Sequence, residues 1–340
     1  MKRWSVILLV ALVAALGIGA CQPGAPASVA LTKVKLQLSW VEQAQFAGYY
    51  VARDKGFYAA EGLDVEILPG GPNVSTIQQI SGGAADFGID GVLALYQARD
   101  SGLDIVSIAQ TDQKDGFIKV ARKSSGITKA EDFKGKKVGN FPDEWEFDAL
   151  TAKLGLKPGT DFTFVQQGFT MDPFISGELD VASATMWNEY NILIEGPNPK
   201  FKPEDLNIIH YDDYGVATPH DAVLTSGDMV SKNRDTAVKF LRASTKGWLD
   251  AYADEKGAID IVMKVVLAGT EQSSREHQEL MLKAMKTLQL PEGTTNADFG
   301  KIDDSIYASA KTIAETYLKL KNPVDLSKAS TKDILADSKK

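Results

Sequence analysis

Aromatic and hydrogen-bonding side chains stand side by side at residues 187–190. The sequence there is Trp187, Asn188, Glu189 and Tyr190. Contact with an aromatic ring contributes on the order of 1 kcal/mol, and an amide or a carboxylate recognises the polar edge of a ligand by hydrogen bonds. This cluster predicts a binding site for a flat ligand with a polar rim.

Further candidate ligand-binding residues lie at or near the ends of predicted strands. They are Trp40, Tyr49, Asp90, Asn140 and Trp145. Ligands of open α/β sheets bind outside the carboxyl ends of the strands, so these positions predict the walls of a cleft. Other roles remain open, because Trp40 suits a core position equally well and Asp90 suits the N-cap of the next helix. Glu144 likewise suits the first turn of a helix, where acids are favoured electrostatically.

Catalytic and metal-binding patterns are absent from the sequence. The three histidines, His210, His220 and His277, are far apart and lack metal-ligand spacing. A nucleophile elbow, a phosphate-binding loop and a dinucleotide fingerprint are also missing. The sequence therefore predicts a binding protein that has no catalytic residue, no metal and no cofactor.

The N-terminus predicts export and a lipid anchor at Cys21, the single cysteine of the chain. Residues 1–20 read as a lipoprotein signal peptide, with Lys2 and Arg3 before an apolar run and small residues before Cys21. A transmembrane anchor is the alternative, but the uncharged run is at the short limit for spanning a bilayer. Residues 21–32 are rich in Pro, Ala, Gly and Ser, which is typical of a flexible tether.

Alternating strands and helices must position the candidate residues. Strands are predicted over residues 34–38, 63–68, 85–89, 105–109, 117–121, 137–140, 162–165, 181–186 and 206–210, and helices over residues 43–58, 92–98, 144–153, 172–176, 234–252, 258–267, 274–287 and 302–320. This alternation predicts an α/β fold with parallel sheets that are covered on both faces. Residues 33–118 and 220–340 are assigned to lobe 1 and residues 119–219 to lobe 2. Two lobes joined by two crossings predict a cleft that closes on its ligand by a hinge.

The charge balance narrows the class of partner. Without Lys2 and Arg3, 35 basic residues stand against 45 acidic ones, a formal charge of −10. An acidic surface of this kind disfavours nucleic acid and anionic lipid. We therefore expect a small-molecule ligand, and a monomer.

Several motifs carry a resemblance to a known family. They are Trp-Val-Glu-Gln-Ala-Gln-Phe-Ala-Gly-Tyr-Tyr-Val-Ala at residues 40–52, Lys-Gly-Phe-Tyr at 55–58, Glu-Gly-Leu-Asp-Val at 61–65 and Pro-Gly-Gly-Pro at 69–72. The chain resembles the ABC-importer substrate-binding proteins that are related to the fungal thiamine-pyrimidine synthases. The resemblance implies a two-lobed, type II periplasmic-binding-protein fold with two crossing segments and a helical C-terminal region.

The details of the resemblance favour one branch of that family. The fungal enzymes carry a cysteine-rich motif and a histidine in the first helix, whereas this chain has only Cys21 and no histidine there. Pyrimidine binders read Trp-x-Pro-Asn where this chain has Trp-Val-Glu-Gln at residues 40–43. Residues 44–52 look more like the riboflavin-binding branch. A thiamine-type aminopyrimidine is the alternative ligand, because Glu144 and Glu189 would pair with its cation.

The resemblance implies a receptor for riboflavin on the outer face of the cell membrane. It would be held there by the Cys21 lipid, and it would deliver its ligand to an ABC permease. The ATPase of that permease would be a further partner. Two alternatives of other classes stay open. One is an exported enzyme of pyrimidine or flavin metabolism, and the other is a structural envelope lipoprotein without a ligand.

Overall fold

Two five-stranded sheets organise the part of the chain that the computed structural model describes, which comprises residues 30–142, 144–168, 170–195, 198–266 and 273–340. The predicted signal peptide, the lipidation at Cys21 and residues 21–29 of the tether lie outside the described residues. The strands are β1 Thr32–Gln37, β2 Leu63–Leu68, β3 Phe87–Asp90, β4 Ile105–Gln110, β5 Phe117–Arg122, β6 Lys137–Asn140, β7 Thr163–Gln166, β8 Val181–Thr185, β9 Leu206–His210 and β10 Ala222–Ser226.

The first sheet has the strand order β2-β1-β3-β10-β4 and the second has the order β7-β6-β8-β5-β9. In each sheet one strand runs against its neighbours: β10 is antiparallel to β3 and β4, and β5 is antiparallel to β8 and β9. The prediction of purely parallel sheets is therefore wrong. Both reversed strands follow a crossing between the sheets, so the chain enters each new sheet from the opposite end.

Burial explains why the strands were visible in the sequence. All four residues of the central strand β3 are buried, and so are all six residues of β4, although β4 lies at the edge of its sheet. In β1 the buried and exposed residues alternate over Val34, Lys35 and Leu36. Hydrophobic pattern thus located nine of the ten strands in the described residues and missed β10, and strand direction leaves no trace in that pattern.

Helices pack on both sheets and form most of the C-terminal region. They are α1 Ala47–Asp54, α2 Phe57–Ala60, α3 Thr76–Ser81, α4 Val92–Asp100, α5 Trp145–Leu154, α6 Asp172–Ser176, α7 Glu189–Ile194, α8 Gly227–Lys232, α9 Arg234–Ala253, α10 Glu255–Val262, α11 Arg275–Gln289, α12 Asp304–Tyr317, α13 Leu326–Ala329 and α14 Asp333–Ser338. None of the helices in the described residues combines the length and the apolar character that spanning a bilayer requires.

The single helix predicted over residues 43–58 is broken into three pieces. A 3-10 turn at Ala44–Phe46 precedes α1, and Gly56 separates α1 from α2. Gly56 has a φ of 74°, a left-handed conformation that glycine adopts without a steric cost. The break turns α2 toward β2 and leaves α1 free to pack against α9.

Candidate functional site

A cavity lies where the carboxyl ends of strands from the two sheets approach each other. The first sheet contributes residues that follow β1 and end β3, and the second contributes residues that follow β6 and β8. The empty space between its lining atoms is about 680 Å³, which includes space that is open to solvent. Its lining residues are Ser39, Trp40, Gln43, Gln45, Gly71, Val74, Thr76, Asp90, Phe117, Phe141, Pro142, Glu144, Thr185, Trp187, Asn188, Glu189 and His220.

Five of the candidate ligand-binding residues lie in the lining of this cavity. The predicted residues that line the cavity are Trp40, Asp90, Trp187, Asn188 and Glu189. All of them end or follow a strand at the edge where the two sheets meet. The structure therefore brings together predicted residues from three separate strand ends, those of β1, β3 and β8.

Tyr49 and Tyr190, which were also predicted to bind the ligand, lie among core residues and are not part of the lining. Tyr49 is 1% exposed, and its ring packs edge-on against Trp248 with centroids 5.6 Å apart. Helix α1 turns this side chain toward α9 rather than toward the strand ends. Tyr190 is half-buried and packs on a core cluster that includes Leu193. Tyr49 was predicted from its place near a strand end and Tyr190 from its place in the cluster at residues 187–190. Neither position shows whether a side chain faces the core or the cavity.

Asn140 and Trp145 lie behind the wall. The Asn140 side-chain oxygen accepts a hydrogen bond from Lys119 Nζ at 2.7 Å, and its amide group donates to the carbonyl oxygen of Phe141 at 3.0 Å. Trp145 is half-buried and packs against the core cluster that includes Phe147. Asn140 therefore holds the chain at the end of β6, where Phe141 lines the cavity.

Aromatic rings from both sides meet around the cavity. Trp40 and Phe141 come from opposite sheets and lie edge to face, with centroids 5.6 Å apart. Phe117 contacts Trp187 edge-on at 5.6 Å and lies against the His220 ring at 4.6 Å. Such rings present flat apolar surfaces, and the wall is suited to a planar heterocycle.

Glu144 lines the cavity, but its carboxylate is fully occupied by protein groups. Lys119 Nζ lies 3.4 Å from Oε1, and both side chains are inaccessible to solvent. The Ser183 hydroxyl donates to Oε2 at 2.5 Å, and the Tyr211 hydroxyl donates to Oε1. Burial lowers the pKa of Lys119 to about 8, and the charge of Glu144 limits that fall. The pair is thus neutral as a unit, which removes Glu144 as a counter-ion for a ligand.

Glu189 keeps more of its capacity for a ligand. Its Oε2 accepts hydrogen bonds from the backbone nitrogen and the hydroxyl of Thr185, at 2.9 and 2.8 Å, and its Oε1 accepts one from Asn188 at 2.7 Å. Burial raises the pKa of this carboxyl, and the hydrogen bonds oppose the rise. Asn188 in turn lies 2.8 Å from Nε2 of His277, whose pKa burial lowers to about 4. Because neutral His277 donates to the Asn188 oxygen, α11 is connected to the loop that follows β8.

His220 carries the positive charge of the wall. Burial opposes the charged form, but the hydrogen bond to Asp221 and the fields of Asp221, Glu146 and Asp90 outweigh burial and raise the pKa to about 9. The His220 Nδ1 atom lies 3.4 Å from Asp221 Oδ1. The ring therefore presents a charged N–H group beside Phe117.

Several lining residues were not anticipated from the sequence: Gln43, Gln45, Phe117, Phe141 and His220. Phe141 directly follows β6, and Gln43 and Gln45 come shortly after Trp40, so the strand-end argument contained the signal for these three. His220 precedes β10 and Phe117 begins β5. Only residues at the ends of strands were taken as candidates, so residues at the beginnings of strands, such as His220 and Phe117, were missed.

Buried polar atoms at the wall lack a partner among the described residues. They are Trp40 Nε1, a donor, and Gln43 Oε1, an acceptor. Gln43 is 1% exposed, so water does not readily satisfy its oxygen. A buried polar atom left unpaired costs about 1–3 kcal/mol, which a ligand would recover by supplying the missing hydrogen bond. Among the described residues, no cluster of three or more His, Cys, Asp or Glu side chains has the arrangement of a metal site.

Comparison with known protein families gives a match over most of the body. The model of the NMT1/THI5-like family matches residues 43–258. The chain is 24% identical to the riboflavin-binding protein RibY of Chloroflexus aurantiacus over 92% of this chain and 89% of that protein. It is 26% identical to the formylaminopyrimidine-binding protein of Halalkalibacterium halodurans, over 88% and 91% of the two chains. A 4-amino-5-hydroxymethyl-2-methylpyrimidine phosphate synthase of Saccharomyces cerevisiae is 31% identical over 44% of each chain.

Solved structures share the fold at lower sequence identity. A protein of Bordetella bronchiseptica superposes with a TM-score of 0.69 at 20% identity, over 90% of this chain and 96% of that one. The periplasmic aliphatic sulphonate-binding protein of Escherichia coli gives a TM-score of 0.63 at 14% identity, over 87% and 96% of the two chains. The predicted two-lobed, type II periplasmic-binding-protein fold is confirmed.

Proposed function

The chain belongs to the NMT1/THI5-like family, and we propose that it is the substrate-binding lipoprotein of an ABC importer that captures riboflavin. One observation carries the proposal: the cavity between the two sheets has aromatic walls and a buried, unpaired donor and acceptor. Flat rings would bind between the aromatic side chains, and the polar rim of the ligand would satisfy Trp40 and Gln43.

Riboflavin is preferred because of the charge state of the wall. An aminopyrimidine cation was expected to pair with Glu144 and Glu189, but Lys119 already neutralises Glu144. The tricyclic ring of riboflavin is neutral and offers a larger flat surface to Trp40, Phe117, Phe141 and Trp187. Similarity to a riboflavin-binding protein over nine-tenths of the chain supports the same ligand.

A formylaminopyrimidine-type ligand is the second candidate, and Glu189 is the observation that favours it. The Glu189 carboxyl group lines the cavity and its Oε1 atom accepts a hydrogen bond from Asn188; a carboxylate oxygen can accept two, so an exocyclic amino group of the ligand would supply the second. Similarity to a formylaminopyrimidine-binding protein points the same way.

Each part of the chain has a role in the proposed transport. Lobe 1, residues 33–118 and 220–340, and lobe 2, residues 119–219, would close on the ligand about the two crossing segments. Cys21 would carry the lipid that holds the protein on the extracytoplasmic face beside its permease. The protein would release its ligand unchanged rather than act as an enzyme.

Fluorescence titration tests the proposal directly. Purified protein is added to riboflavin at micromolar concentration, and we expect the flavin emission to be quenched with one-to-one stoichiometry. Formylaminopyrimidine is then titrated as a competitor. Absence of quenching together with tight binding of the pyrimidine would replace riboflavin by the second candidate. Chemical conversion of either compound would contradict the transport role.

A further inference from the structure

The orientation of the Gln45 amide is fixed by its neighbours. Trp187 Nε1 lies 3.2 Å from the Gln45 side-chain oxygen, and an indole N–H only donates, so the atom that faces it must be the oxygen. The amide nitrogen of Gln45 then points to Asp221 and lies 3.2 and 3.0 Å from the two carboxylate oxygens. The reversed orientation would place two donors together at Trp187.

Gln45 in turn fixes the orientation of Gln43. Gln43 Nε2 donates to the same Gln45 oxygen at 2.8 Å. Turning the Gln43 amide over would bring two oxygens together at that point. The Gln43 oxygen is therefore the atom that stays without a partner in the described residues, beside the cavity that Gln43 lines. An acceptor in this position requires a donor from the ligand.

The charges of the wall agree with an acceptor-rich site. Asp90 and Glu189 line the cavity with carboxyl oxygens, and the Nδ1 atom of His220 is turned to Asp221, 3.4 Å away. A ligand whose rim consists only of negatively charged oxygens would face the Gln43 oxygen and both carboxylates. Burying it there would leave the Gln43 acceptor unpaired and add repulsion.

We infer that Gln43 selects the ligand by accepting a hydrogen bond from an N–H or O–H group, so that the cleft takes neutral or cationic heterocycles and excludes oxyanions such as sulphonates. This inference rests on the proposed function and specifies the chemistry of its ligand. Both candidates meet the requirement, since riboflavin has an imide N–H and an aminopyrimidine has an amino group. Gln45 is a positioning residue that acts through Gln43.

Matched ligand pairs test the role of Gln43. The first pair is riboflavin and an analogue whose imide nitrogen carries a methyl group in place of hydrogen, and the second is an aminopyrimidine and an analogue whose amino group is replaced by methyl. Affinities are measured for the unmodified protein, for Gln43→Met and for Gln78→Met, an exposed glutamine of α3 that serves as the control. Met has a similar size to Gln and leaves the Gln45 oxygen paired with Trp187.

The informative quantity is the ratio of the affinities for the two members of a pair, the ligand with the donor and the analogue without it. For the pair that binds, we expect the unmodified protein and Gln78→Met to lose roughly tenfold affinity when the donor is removed. In Gln43→Met the two members should bind within about threefold of each other, because the unpaired acceptor is gone. Equal discrimination in all three proteins, or none in the unmodified protein, would overturn the inference and leave the proposed function intact. Failure of both pairs to bind at all would overturn the proposed function and the inference with it.

Two further measurements separate positioning from general structural damage. In Gln45→Met the Gln43 amide is free to turn, so discrimination within the pair should narrow even if both affinities fall. A purely structural role would lower both affinities by the same factor. Butanesulphonate at millimolar concentration should not bind the unmodified protein, and saturable binding of it would contradict the exclusion of oxyanions.

Discussion

Buried ionisable side chains determine how this protein responds to pH. His277 is buried at 2% exposure and held neutral, and its Nε2 atom bonds to Asn188 from the opposite side of the cavity. Lys119 is equally buried but keeps a partner in Glu144. A buried base with only a neutral partner loses stability when it must take up a proton, whereas a paired base does not.

His277 should make the protein sensitive to acid. Its pKa is about 4 in the folded chain against an ordinary 6.5, so the unfolded chain binds the proton more tightly. The stabilising contribution is complete above pH 6.5 and is lost as the pH falls toward 4. We expect the unmodified protein to lose up to about 3 kcal/mol more of its free energy of unfolding than His277→Gln between pH 7 and pH 4.

Urea unfolding at a series of pH values measures this difference. Gln can still donate to Asn188 but does not titrate, so it preserves the contact while removing the proton. Parallel pH profiles for the two proteins would show that His277 does not carry the acid sensitivity.

Helices α1 and α9 approach each other closely because glycine occupies the contact on both sides. A Cβ atom on Gly48 would lie 2.2 Å from the ring of Trp248, and one on Gly247 would lie 2.1 Å from the carbonyl oxygen of Gly48. This contact anchors the segment that follows Trp40 and carries Gln43 and Gln45. Helix packing therefore supports the cavity wall from behind.

Gly247→Ala should destabilise the fold, against the general helix preference for alanine. The propensity gain of about 1 kcal/mol is outweighed by the clash with the backbone of α1, and we expect a net loss of about 1–3 kcal/mol in the free energy of unfolding. Lys246→Ala, at the exposed neighbouring position, should change it by at most about 1 kcal/mol. Chemical denaturation compares the two variants, and an unchanged or raised stability of Gly247→Ala would refute the close packing.

Contacts between the two sides of the cavity connect the two sheets of the molecule in this structure. Trp187 reaches Gln45, His277 reaches Asn188, and Trp40 lies against Phe141. All of these belong to the body of the chain, whereas the proposed anchor at Cys21 precedes it by the length of the tether. Anchoring and ligand binding should therefore be separable.

Cys21→Ser tests that separation. We expect the variant to lose its association with the membrane fraction, because the thioether lipid has no attachment point. Its affinity for riboflavin, measured after purification, should equal that of the unmodified protein within about twofold, since the described residues that line the cleft all belong to the body of the chain. A large loss of affinity would mean that the anchor and the cleft are not independent.

The sequence by itself determined most of the strands and part of the wall, because these depend on local pattern. Buried strands such as Lys137–Asn140 are recognisable from their composition, and the strand-end rule located Trp40, Asp90 and Trp187. Local pattern also predicted the wrong environment for Tyr49, since a helix face carries no mark of what it packs against.

Tertiary structure alone decided strand direction and the hydrogen-bonding character of the site. Strand β10 is reversed because the chain returns from the second sheet. The oxygen of Gln43 has no partner among the described residues because Gln45 meets Trp187, which is 142 residues further along the chain, and Asp221, which is 176 residues further. Pairings over such separations are set by the fold as a whole, and no window of sequence contains them.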